Sequence, residues 1–317
     1  MDANILKVAL AQISPVWLNK QKTLEKILEY VVKAAQEQCD LIVFGEALLP
    51  GYPFWISLTD GARFDAKDQK AIHAHYVANA VMIATGDLAP LRELAKEKSI
   101  AVYLGCMERA EDRGGHSIYC SLVYIDKTGT IQSIHRKLMP TFEERLTWAS
   151  GDGNGLQVHK MKNFTLGGLN CWENWMPLPR AALYGMGENV HIAVWPGNDF
   201  NTRDITRFIA RESRSYVLSV SSLMQVSDFP SDTPYLEKIL EHAPKVLANG
   251  GSCIAGPDGE WIVPPVINTS GLIIEILDFN RVLEERQNFD PVGHYSRPDV
   301  TKLILNRERQ STIQIKN

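Results

Sequence analysis

Residues 164–175 read FTLGGLNCWENW. Phe164 to Leu169 is a short run of apolar and β-branched residues with no helical spacing, which predicts a buried strand. The strand ends at Asn170-Cys171, just after the glycine pair Gly167-Gly168. A reactive side chain on a tight strand-to-helix turn is where many α/β enzymes place a nucleophile. Free cysteine is also among the most buried residue types, so Cys171 taken alone reads first as a packing residue.

The same pattern extends outward in both directions. Val190 to Val194 is a second apolar run, closed by Trp195-Pro196-Gly197, and Tyr216 to Ser222 follows a helix expected over 203–215. Toward the N-terminus, strands are expected at Ile5 to Ile13, Leu41 to Phe44, Ile100 to Met107, Ser117 to Ile125 and Thr130 to His135. Leu24, Ile27, Leu28, Val31, Val32 and Ala35 form a helical stripe. Further helices are expected around 65–83 and 87–97, and strands at 252–255, 261–263 and 272–277. Strands interleaved with helices from end to end predict the α/β class. No linker, low-complexity tract or short repeat divides the chain. The expectation is one domain over 1–305 and a polar C-terminal tail over 306–317, free or serving as an assembly arm.

Bulk composition narrows the function. The 317 residues are 45% apolar and 22% charged, with a net charge of −4 and both signs mixed along the chain. That is ordinary globular composition, without the clustered Lys and Arg of a nucleic-acid surface. The N-terminal MDANILKVALAQI lacks a secretory pattern, and no apolar run reaches the ~18 residues of a membrane span. The five cysteines, Cys39, Cys106, Cys120, Cys171 and Cys253, are dispersed and odd in number. They fit a reducing cytoplasm rather than a disulfide framework.

Three strand ends carry groups that could act together. Phe44-Gly45-Glu46 leaves a carboxylate at the edge of a buried strand, and His135-Arg136-Lys137 leaves a cation after another. Cys171 ends the third. Functional groups of α/β sheets gather at such ends. A thiol with a pKa near ~8.5 is mostly protonated at neutral pH, so a nucleophilic cysteine needs a base. A carboxylate can take the proton, and an ammonium can stabilise the negative charge that develops. The set needs no metal and no cofactor. The eight histidines show neither a cysteine-protease signature nor metal-ligand spacing, His73 and His75 facing different sides of their helix.

FGEALLPGYPFW (44–55), HRKLMPTFEERLTW (135–148) and GGLNCWENWMPL (167–178) occur in this order. Together they resemble the three signature blocks of the nitrilase superfamily of carbon–nitrogen hydrolases. The similarity runs from VALAQ at 8–12 to GHYSRPD at 293–299. The resemblance implies an α-β-β-α sandwich that pairs into an αββα-αββα dimer, often extended into spirals. It implies Glu46 as general base, Lys137 as electrostatic stabiliser and Cys171 as nucleophile. A second glutamate seven residues after the lysine is Glu144, with Glu143 beside it. CWEN followed by MPLPR, the PTxxER pattern at 140–145 and the GHYSRPD block resemble the true nitrilase branch, which turns an organic nitrile into a carboxylic acid and ammonia. Cyanide-hydrating and amidase relatives are the nearest alternatives, and a non-catalytic binding member is the alternative of another class. Tyr52, Phe54, Trp172 and Trp195 are candidate contacts for an apolar nitrile; such aromatics also serve as core filler. Segments 54–70 and 225–245 lie outside the expected sheet and are candidate contact regions between subunits.

Overall fold

The tetrapeptide Leu41-Ile42-Val43-Phe44 is fully buried on both faces of a strand. Leu41 and Val43 pack inward between two sheets, while Ile42 and Phe44 pack outward against helices. This two-sided burial explains why the stretch reads as continuous apolar sequence rather than as alternation. The computed structural model describes residues 2–313.

The first sheet has the order β13-β1-β2-β3-β4-β5. Its strands are β1 (Ile5–Gln12), β2 (Leu41–Phe44), β3 (Ala101–Arg109), β4 (Ile118–Ile125), β5 (Ile131–Arg136) and β13 (Gly271–Asp278). β1, β2 and β3 run parallel, and the outer pairs are antiparallel. The second sheet has the order β10-β11-β9-β8-β7-β6, with β12 also paired to β11. These are β6 (His159–Met161), β7 (Phe164–Asn170), β8 (Val190–Trp195), β9 (Tyr216–Ser221), β10 (Leu223–Gln225), β11 (Val246–Ala255) and β12 (Trp261–Ile267). β7, β8 and β9 are parallel.

Between the sheets lies one apolar layer, in which Leu6, Val8, Leu10, Leu122 and Tyr124 of the first meet Phe164, Leu166, Ile192, Val194 and Leu218 of the second. α1 (Lys20–Gln36) and α2 (Ala89–Lys98) cover the outer face of the first sheet through Ile27, Val31, Ala34, Leu91 and Ala95. Outside the second sheet, α3 (Ile205–Ser213) packs through Ile205, Ile209 and Ala210. The layers are therefore helix, sheet, sheet, helix, the α-β-β-α sandwich expected from the sequence.

Several elements differ from expectation. Residues 177–185 form a helix beyond those expected, with Pro177 and Pro179 near its start. Both lie in its first turn, where proline costs no hydrogen bond. β11 begins at Val246 rather than Ser252, running through Gly250 and Gly251, both at positive φ. A further helix beyond those expected, Phe279–Arg286, is capped by the Asp278 side chain. The segments 54–70 and 225–245 are tied to one another and to the body. Asp68 pairs with both Arg63 and Lys238 at 2.5 Å, and Phe229 packs edge-on against Trp17. Phe229 and Ile239 thereby join the core, while Tyr235, Leu240 and Phe64 stay exposed. Within 306–313 the chain lies against the turn at 152–155, where Arg309 pairs with Asp152 at 2.9 Å. The last four tail residues, 314–317, fall outside the described residues.

Candidate active site

Each of the three strand ends is held by backbone before its side chain matters. The Glu46 N–H donates to the Trp195 carbonyl at 3.1 Å, joining the end of β2 to the end of β8 across the two sheets. Beneath this turn sits Gly105 of β3, where a Cβ would lie 2.1 Å from the Gly45 carbonyl oxygen, so the close approach requires glycine. Lys137 follows β5 directly, its N–H donating to the Cys120 carbonyl at 2.8 Å. Cys171 follows β7 and opens a 3-10 turn, Cys171–Trp175, with φ at +48°. A left-handed non-glycine residue is a local strain that the surroundings must hold, and such strain gathers at functional sites. Here Asn170 and Glu173 form a reciprocal cap around the turn, and Asn174 Nδ2 donates to the Cys171 carbonyl at 2.8 Å.

The side chains then converge. Lys137 Nζ donates to Glu46 Oε1 at 2.8 Å and to Glu144 Oε2 at 2.7 Å. Ligand atoms of Glu46, Glu144 and Cys171 lie within 4.8 Å of one another. All four side chains are buried. Glu144 is fixed on both oxygens, since Tyr52 Oη donates to Oε1 at 2.8 Å and the Thr141 N–H to Oε2 at 2.6 Å. The Trp148 ring lies 5.3 Å from the Lys137 ammonium, a cation–π distance. Three ligand atoms this close could also cradle a metal ion. The ammonium already occupies the position between both carboxylates, so a divalent ion would have to displace it.

Burial sets the electrostatics. It pushes the Glu46 carboxyl up to about 7, against the pull of Lys137 and with a further push from Glu144. Burial and the Glu46 carboxylate push the Cys171 thiol well above its ordinary value, with Lys137 pulling it back. Burial acts to lower Lys137, but Glu46, Cys171 and Glu144 outweigh it and hold the ammonium well above its usual range. The resting centre is thus a neutral thiol beside a carboxylate that titrates near neutrality and a permanent cation. Such a centre suits proton transfer during attack rather than a preformed thiolate.

The remaining predicted contacts spread over different environments. Tyr52 spends its hydroxyl on Glu144, and Phe54 packs against the Tyr52 ring at 5.0 Å. Trp172 is half exposed beside the cysteine. Trp195 is fully buried in the cluster that contains Cys171, its indole donating to Ser219 Oγ at 3.3 Å. Its backbone carbonyl, rather than its ring, supports Glu46. Arg297 and Asp299 of the GHYSRPD block form an exposed pair with each other, away from this centre.

Sequence reading missed several buried partners. Cys120 Sγ lies 3.5 Å from Glu46 Oε1, and nothing in a cysteine on an apolar strand announces it. Glu173, two residues after Cys171 in the CWEN motif, is fully buried and binds His135 at 3.1 Å. Behind the cysteine turn, His191 bonds both Asn174 Oδ1 at 2.7 Å and Glu188 at 3.0 Å. These histidines touch structural partners and not the sulfur.

The fold and this cluster of a thiol, an ammonium and two carboxylates gain a family from comparison with known proteins. Residues 7–287 match the carbon-nitrogen hydrolase family, and the chain belongs to it. The chain is 31% identical to an aliphatic nitrilase of Rhodococcus rhodochrous, over 98% of this chain and 85% of that protein. It is 32% identical to nitrilase 2 of Arabidopsis thaliana, over 98% and 92%. In fold it is similar to a carbon-nitrogen hydrolase of Helicobacter pylori G27, with a TM-score of 0.69 and 18% identity over 94% of this chain and 97% of that one.

Proposed function

We propose that this protein is a nitrilase, converting an organic nitrile to its carboxylic acid and ammonia. The observation that carries the reading is the Lys137 ammonium held between two buried carboxylates, with the Cys171 thiol against the same group. The full-length similarity to nitrilases supports the choice of substrate.

Cys171 Sγ adds to the nitrile carbon as Glu46 accepts the thiol proton. The nitrile nitrogen takes up the electron pair beside Lys137, gains a proton, and leaves a thioimidate. Water, deprotonated by Glu46, adds to the same carbon to give a tetrahedral species bearing sulfur, hydroxyl and amine. Protonation of the amine expels ammonia and leaves a thioester. A second water, activated in the same way, releases the acid and restores the thiol. Each step asks Glu46 to take and return one proton, which suits a carboxyl titrating at about 7. Glu144 holds Lys137 in place and, through Tyr52, joins it to the aromatic side of the centre. Tyr52, Phe54 and Trp172 are the proposed apolar contacts for the substrate, with Trp195 supporting from below.

The five buried thiols, none in a disulfide among the described residues, support residence in a reducing cytoplasm. No helix among the described residues is long and apolar enough to cross a membrane. The exposed Phe64, Tyr235 and Leu240 support assembly of copies into a homodimer or larger spiral. Residues 1–305 are proposed as the hydrolase domain and 306–317 as the polar tail.

The test is ammonia release and product chromatography on arylacetonitriles, short aliphatic nitriles and the matching amides. Acid as the main product from nitriles is expected. Mostly amide from every nitrile would make the protein a hydratase, and fast turnover of amides alone would make it an amidase.

A further inference from the structure

Glu173 is a fully buried carboxylate that has no step in the reaction above. Its two oxygens collect three donors. Oε2 accepts from the Asn170 N–H at 2.8 Å, and Oε1 accepts from the Leu138 N–H at 2.5 Å. His135 Nε2 lies 3.1 Å from Oε2 and 3.2 Å from Oε1 and completes the set as a donor. Asn170 is the residue before Cys171, and Leu138 is the residue after Lys137. One side chain therefore grips the chain neighbours of the nucleophile and of the ammonium, which come from strands of different sheets.

A helix cap would explain the Asn170 bond alone. It does not explain the bond to Leu138, which is 35 residues away and closes no turn. Apolar packing between two sheets is non-directional and leaves slack along the layer. Charge-assisted hydrogen bonds fix both distance and direction. The donors also hold the carboxyl below its ordinary range despite burial that acts to raise it, so the clamp is an anion at neutral pH.

We propose that Glu173 is a positioning residue of the reaction, its carboxylate setting the separation of the Cys171 sulfur and the Lys137 ammonium through Asn170 and Leu138. The proposal rests on the assignment of Cys171 and Lys137 given above. Glu173→Gln keeps the shape but turns an amide N–H₂ against one of the two backbone N–H groups, donor against donor. Cys171 and Lys137 then move apart, and the thiol loses part of the cation that pulls its pKa down.

The experiment measures the rate of Cys171 alkylation by iodoacetamide against pH, beside nitrile turnover, for the parent, Glu173→Gln and Glu173→Asp. A misplacement of ~1 Å costs about 10²-fold. Glu173→Gln is expected to lose kcat by about that factor with KM changed less than ~3-fold. Its alkylation profile is expected to move to higher pH. His135→Gln, which keeps a donor, is expected to stay nearer the parent than His135→Leu in both readouts. Should Glu173→Gln not fold, judged by circular dichroism, Glu173→Asp carries the test, since it keeps the charge and withdraws it by one methylene. A folded variant with parental kcat and an unshifted alkylation profile overturns the proposal. A parent without nitrile turnover whose alkylation still depends on Glu173 supports the clamp and counts only against the nitrilase reading.

Discussion

Lys137→Met isolates what the ammonium does, because methionine keeps the stem and removes the charge. In the parent, Nζ donates to two carboxylates at 2.8 and 2.7 Å in a solvent-free setting. At an effective dielectric of ~20, each pair represents about 6 kcal/mol of gross attraction. Most of that is offset by the cost of stripping water from three charges. Breaking such a pair nonetheless costs a net ~3–5 kcal/mol, because the orphaned charge stays buried. A loss of that size is a large share of the ~5–15 kcal/mol that holds a typical domain together. The variant can relieve it by taking up protons, and this gives the prediction a pH signature. Glu46 already titrates at about 7 when folded, against ~4.3 in an unfolded chain. A carboxyl raised in this way supports the fold fully below its unfolded pKa, and the support is lost as pH rises through the folded value. Without Lys137 the folded value moves higher still, since the cation that lowered it is gone. Destabilisation should therefore be near its full ~3–5 kcal/mol at pH 8 and clearly smaller at pH 5.5. Urea unfolding followed by tryptophan fluorescence at both pH values measures it. The double variant Lys137→Met/Glu46→Gln, which removes one stranded carboxylate, should recover a substantial part. Equal midpoints for parent and Lys137→Met at pH 8, or a double variant no more stable than the single one, would refute the reasoning.

Four further outcomes are expected. Cys171→Ala should abolish turnover while circular dichroism stays parental, and a substoichiometric alkylating reagent should label Cys171 before Cys39, Cys106, Cys120 or Cys253. Since Glu46 must be ionised to accept the thiol proton and its carboxyl is pushed up to about 7, kcat/KM should rise with pH through about 7; Glu46→Gln should lose at least ~10²-fold and show no such limb in any residual activity. Glu144→Gln weakens the negative field around the departing nitrogen, so residual activity should shift from acid toward amide, read by chromatography of both products. Light scattering at micromolar concentration should give a species larger than the monomer, and a strict monomer would remove the assembly assignment.

Local chemistry made much of this protein legible before any fold was known. Continuous apolar runs such as Leu41 to Phe44 and Val190 to Val194 can only be satisfied by burial on both faces, so they announced central strands. Glu46, Lys137 and Cys171 stood out as candidates at strand ends, and it was the resemblance of the three ordered motif blocks to a known family that gave them roles. Motif spacing left Glu143 and Glu144 one residue apart, and only the turn at Phe142–Leu146 decided between them. It buries Glu144 against Lys137 and leaves Glu143 partly exposed. Tertiary structure likewise decided that Tyr52 spends its hydroxyl on Glu144 and that Trp195 supports through its carbonyl. The same holds for Cys120, His191 and Glu173, whose partners lie far off in sequence. A chain records its own periodicity and its own turns, because those depend on neighbours a few residues apart. Which buried polar atom meets which is set by how two sheets lie on one another, and no single stretch of sequence carries that distance.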